Sequence, residues 1–132
     1  MKVLVADDDN GTRLLMRRVL EQDLKCQVVE VTNGRDALAR LDEMTFDFAV
    51  LDLQMPIVNG VETLRRIRAS SASANLPVIV LTAETTDVVV RLVMSLGITD
   101  YLAKPLDRRT VRERVERVAT RLSAEKQAPP AA

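Results

Sequence analysis

Phe48-Ala49-Val50-Leu51-Asp52-Leu53-Gln54-Met55-Pro56-Ile57-Val58-Asn59-Gly60 is the stretch that decides the fold. Four apolar residues, too few for a helix, run straight into one carboxylate, Asp52. Met55-Pro56 breaks the direction of the chain, and Asn59-Gly60 reads as a turn. Beyond it Val61, Leu64 and Ile67 recur at helical spacing against Arg65, Arg66 and Arg68. A buried strand, a polar loop and an amphipathic helix in that order make one βα unit.

The same unit repeats on both sides. Val3–Ala6, Gln27–Val31, Val78–Leu81 and Ile98–Leu102 are short runs rich in Val, Ile and Leu. Strands buried on both faces of a parallel sheet look like this. Helical stretches follow each: Leu15, Met16, Val19 and Leu20 on one stripe, then Gly34 to Met44, then Thr85 to Ser95. The last carries Val111, Val115, Val118, Ala119 and Leu122, with Asp107 as its N-cap. Asn33-Gly34 reads as another turn, and Ser70 to Asn75 as a loop. Five βα units predict an α/β fold, a doubly wound five-stranded parallel sheet with helices on both faces. The domain is expected over residues 1–122, and residues 123–132 as a disordered tail or the start of a linker.

Composition excludes several classes of function. The chain has 132 residues, room for one domain, with 47% apolar and 29% charged residues. Lys plus Arg and Asp plus Glu both total 19, so no net charge draws it to nucleic acid or to an anionic membrane. Cys26 is the only cysteine, which rules out an intrachain disulfide. Histidine is absent, which removes His-based triads and most zinc sites. The first residues resemble neither a signal peptide nor a membrane span. A small cytoplasmic domain is expected.

Ligand sites in this architecture form beyond the carboxyl ends of the strands. There the sequence sets Asp7, Asp8 and Asp9 after the first strand, Asp52 after the third, Thr82 after the fourth and Lys104-Pro105 after the fifth. Each has a plain explanation alone: Asp9 could start a helix, Asp52 cap a turn, Thr82 cap the fourth helix, and Lys104 be a solvated lysine. Together they put carboxylates, a hydroxyl and an ammonium on one edge of the sheet, which chance does not arrange.

Those residues, with Asp52-Leu53-Gln54-Met55-Pro56 through Gly60, Leu81-Thr82-Ala83 and Tyr101-Leu102-Ala103-Lys104-Pro105, resemble the receiver domain of bacterial response regulators. The resemblance implies a flavodoxin-like sheet of strand order 2-1-3-4-5 and a signalling domain rather than an enzyme. It implies Asp52 as phosphoacceptor and a Mg²⁺ ion held by Asp8 and Asp52. Asp7 would reach the ion mostly through water, and the Gln54 backbone carbonyl would be a further ligand. Thr82 and Lys104 would contact the phosphoryl oxygens, and Tyr101 would be the aromatic switch. A cis Lys104-Pro105 peptide is part of the same expectation. The implied partners are a histidine kinase or histidine phosphotransfer protein, and a downstream target or second copy bound through the fourth helix, fifth strand and fifth helix. On that fourth helix Val89, Leu92, Val93 and Leu96 should pack on the sheet, leaving Val90, Arg91 and Met94 as partner face.

Alternatives remain open at this point. The chain could be the first domain of a longer regulator with a separate output domain. A haloacid-dehalogenase-like phosphatase would use Asp7 as its nucleophile, but the later acidic pair that family needs is missing, and Asp52 goes unexplained. A DNA-binding surface could draw on Arg108, Arg109, Arg112, Arg114, Arg117 and Arg121; with Glu113 and Glu116 interspersed, a solvated helix face is the expectation.

Overall fold

The computed structural model describes residues 1–84 and 86–127. Strands and helices alternate in the expected order. The strands are β1 Lys2–Ala6, β2 Gln27–Val31, β3 Phe48–Asp52, β4 Val78–Thr82 and β5 Asp100–Ala103. The helices are α1 Asn10–Arg17, α2 Gly34–Glu43, α3 Gly60–Ala69, α4 Asp87–Ser95 and α5 Arg108–Gln127. The strands form one parallel sheet in the order β2-β1-β3-β4-β5.

Every residue of β3 and β4 is buried, which is why their apolar runs show no polar alternation. The pleat sends alternate side chains to opposite faces and so builds two cores. On one face Val3, Val5, Val50, Ile79 and Leu81 pack with Met16, Val19 and Leu20 and with Val111, Val115 and Val118 of α5. On the other, Leu4, Ala49, Leu51, Val78 and Val80 meet Ala37 of α2, Leu64 of α3 and Val93 of α4. Each Val, Leu, Ile or Met side chain among these, removed from water, contributes about 1.5–3 kcal/mol before the cost of ordering it.

Both Asn-Gly pairs differ from their reading as turns. The Asn33 and Asn59 side chains accept the backbone N–H of Asp36 and Glu62, so each caps a helix that its glycine begins. Gly60 also lets α3 start directly against the end of β3. A Cβ there would lie 2.2 Å from the Asp52 carbonyl oxygen and 2.4 Å from Leu53 Cα.

Other boundaries moved for tertiary reasons. After Arg17 the first helix widens into a π-helical turn, Arg18–Asp23, held at its end by Arg108 reaching Asp23. The fourth helix begins at Asp87, with Thr86 rather than Thr82 before it; Thr85, the expected first residue, lies outside the described residues. Ile98 and Thr99 precede β5. Gly97, at φ +81°, ends the α4 region, and Arg68 binds the carbonyls of Leu96 and Gly97 and those of Ser73 and Ala74. Residues 123–127, expected as tail, are the last residues of α5, where Lys126 pairs with Asp47 before β3. Residues 128–132 of that expected tail lie outside the described residues. Among the described residues no helix is long and apolar enough to cross a membrane.

Candidate functional site

The carboxyl ends of β1, β3, β4 and β5 deliver the polar residues that the sequence placed there. Asp7 leaves β1 fully buried, and its Oδ1 accepts the Asp9 backbone N–H at 2.8 Å. Asp9 is the N-cap of α1, accepting from Thr12, so its plain explanation was right. Asp8 stays exposed. Asp52 ends β3 at 1% exposure, and its Oδ1 accepts the Gln54 N–H at 3.2 Å. Asp7, Asp8 and Asp52 each offer a carboxylate oxygen within 4.8 Å of the others.

Lys104, whose peptide bond to Pro105 is cis, reaches into this group. Its Nζ lies 3.0 Å from Asp7 Oδ2 and 3.5 Å from Asp52 Oδ2. The buried Asp7 Oδ2 thus has an ammonium that it shares with Asp52 as its ion-pair neighbour, but no hydrogen-bond partner. A buried carboxylate oxygen cannot be left so without cost. A hard cation that binds carboxylates and keeps some of its waters would satisfy it, directly or through one of those waters, so the donor set fits Mg²⁺.

Charge is concentrated here. Burial first, and the Asp7 carboxylate second, push the Asp52 carboxyl from 3.8 to about 6. Burial opposes the charge on Lys104, but Asp7 and Asp52 outweigh it and raise the ammonium above its usual range.

Thr82, wholly buried at the end of β4, spends its hydroxyl on the next loop: it accepts the Glu84 N–H at 2.9 Å. The Tyr101 hydroxyl donates to the Glu84 carbonyl at 2.5 Å, so one residue's backbone joins the two. Nothing in the letter Glu marks that role, because it uses only main-chain atoms. Arg13 was also missed: its Nη1 donates to the Asp7 carbonyl at 2.8 Å. The α5 arginines pair as a solvated face does, Arg109 with Glu113 and Arg112 with Glu116, while Arg114 binds Asp100 at 2.5 Å.

The family model for the response regulator receiver domain matches residues 3–116. The chain belongs to that family. Chemotaxis protein CheY of Pseudomonas aeruginosa is 30% identical over 123 residues, 93% of this chain and 99% of that protein. The solved structure of the chemotaxis response regulator CheY4 of Vibrio cholerae superposes with a TM-score of 0.81 at 32% identity, covering 89% of this chain and 97% of that one. The receiver domain of a Pseudomonas aeruginosa sensor histidine kinase matches with a TM-score of 0.78 at 25% identity, over 89% and 97% of the two chains; it was solved with magnesium in its active-site cleft. Receivers are signalling domains of two-component systems, and phosphoacceptance is their general role. The phosphatase alternative built on Asp7 is thereby set aside.

Proposed function

We propose that this receiver accepts a phosphoryl group on Asp52. The observation that carries the reading is a buried carboxylate with a lysine ammonium 3.5 Å away and two further carboxylates beside it. An Asp52 oxygen attacks phosphorus, a P–O bond forms, and the bond from phosphorus to the donor's leaving group breaks. With no histidine in the chain, the donor is another molecule: a phosphohistidine on a histidine kinase or phosphotransfer protein, or a small phosphodonor.

Asp8 and Asp52, the Gln54 carbonyl and, through water, Asp7 would hold Mg²⁺, which supplies charge neutralisation between nucleophile and phosphoryl oxygens. Lys104 sits where it neutralises a further phosphoryl oxygen. Thr82 gives up Glu84 to donate its hydroxyl to the group on Asp52. The released loop then changes what holds Tyr101, and the α4-β5-α5 face is remodelled for a target or a second copy. Val88 and Met94, 77% and 59% exposed, give α4 the apolar surface such a face needs. Val89 and Leu96 pack on the core beside buried Val93, while Val90, assigned to that face from the sequence, is half-buried. The reading implies a cytoplasmic domain that binds no nucleic acid directly. It holds whether or not a separate output domain follows.

The test is incubation with Mg²⁺ and acetyl phosphate, followed by intact-mass measurement. One base-labile phosphoryl group is expected on the wild type and none on Asp52→Asn; equal stable labelling of both overturns the assignment.

A further inference from the structure

The β1–α1 loop is held by more than its own turn. The Asp7 N–H donates to the Val31 carbonyl of β2 at 3.1 Å, and Asp7 Oδ1 takes the Asp9 N–H. The Asp7 carbonyl belongs to the peptide joining Asp7 to Asp8, and it accepts Arg13 Nη1 at 2.8 Å. Arg13 is itself aimed from two sides. Its Nε lies 3.6 Å from Glu30 Oε1 on edge strand β2, and its Nη2 donates to the Asn10 side chain. Glu30 is held in turn by Arg17, one helical turn further along α1. The Arg13 and Glu30 side chains are only 16% and 19% exposed, unlike the surface pairs of α5, so this pair is packed rather than waving in solvent.

We infer that Arg13 is a positioning residue for the metal site: by gripping the Asp7 carbonyl it fixes the Asp7-Asp8 peptide plane and so aims the exposed Asp8 carboxylate at Asp52. Glu30 acts one step further out by orienting the guanidinium. The inference rests on the reading of Asp7, Asp8 and Asp52 as a Mg²⁺ site. Outer contacts of this kind set how well ligating groups are presented, and their loss typically weakens metal affinity by about tenfold or more.

Charge and positioning make opposite demands here. Arg13 is a cation beside a cation site, so on charge alone its removal would tighten Mg²⁺ binding. Positioning requires that removal weaken it. The sign therefore separates the two, and a role confined to fold stability would leave the affinity of the folded protein where it was.

The experiment is an NMR titration of the full chain with MgCl₂ well below the melting temperature, following the amides of residues 7–9, for wild type, Arg13→Ala, Arg13→Lys and Arg13→Gln. Arg13→Ala is expected to raise the Mg²⁺ Kd roughly tenfold. Arg13→Lys, which keeps a donor and the charge, should recover most of that loss. Arg13→Gln, which removes the charge and the guanidinium's grip but keeps a helix-favouring side chain, should raise Kd about tenfold as well and serves if Arg13→Ala does not fold. An unchanged or tighter Kd in Arg13→Ala, or in Arg13→Gln where only that variant folds, overturns the inference while leaving the metal site standing. A wild type that does not bind Mg²⁺ overturns the metal reading itself, and this inference with it.

Discussion

Replacing Asp52 with Asn should make the metal-free protein more stable, by an amount that depends on pH. Asp52 is 1% exposed, and burial together with the neighbouring Asp7 carboxylate holds its carboxyl at about 6 instead of 3.8. An acid raised in this way binds its proton more tightly in the folded state than in the unfolded one. Its contribution favours folding below pH 4 and is lost as the pH rises through 6. A rise of that size corresponds to roughly 3 kcal/mol at neutral pH. Asparagine cannot ionise and escapes the penalty. The variant should gain little near pH 4 and about 2–3 kcal/mol at pH 7.5, or about 6–10 °C in Tm for a chain of this length. The assay is urea unfolding followed by circular dichroism, in EDTA, at pH 4.5, 6 and 7.5. A gain equal at all three values, or a loss at pH 7.5, would refute the argument that like charge and burial strain this site.

Mg²⁺ should raise the Tm of the wild type, more at pH 7.5 than at pH 5, because a protonated Asp52 is a poor ligand; Asp8→Asn should weaken that binding at least about tenfold, read from the same thermal titration. Gly60→Ala should destabilise by about 3 kcal/mol or more, since its Cβ would press on the Asp52 carbonyl, and equilibrium unfolding will register it. Ile57→Gly should do the reverse. Ile57 sits at φ +71° with 64% of its surface exposed, so the change relieves a left-handed β-branched residue while giving up little burial. About 1 kcal/mol of added stability is expected by the same measurement.

Strand-end chemistry was the most legible part of this chain, because a buried parallel strand announces its own end. Wherever apolar letters stop at a polar one, as at Asp7, Asp52, Thr82 and Lys104, that side chain must emerge on the ligand edge. Legibility failed where the acting atoms belong to the backbone, as at Glu84, or where a long-range partner decides the outcome. Arg13 lies among the arginines of a helix that would pass for a solvated face, and only the fold brings Glu30 and the Asp7 carbonyl to it. Near the end of α5, Lys126 meets Asp47, 79 residues earlier in the chain. The Asn-Gly pairs were misread because the letters that suit a tight turn also suit a helix cap. The chain's later contacts choose between the two.

The sheet's division of the interior has a consequence for how the chain can change. Helices α1 and α5 rest on one core, and α2, α3 and α4 on the other, with the backbone plane between them. Substitutions on opposite sides share few neighbours, so their effects on stability should add, whereas those on one side should couple. A lineage could therefore remodel α1 or α5 for a new partner without compensating changes beneath α4. The two halves can drift at different rates and still close over the same four polar strand ends.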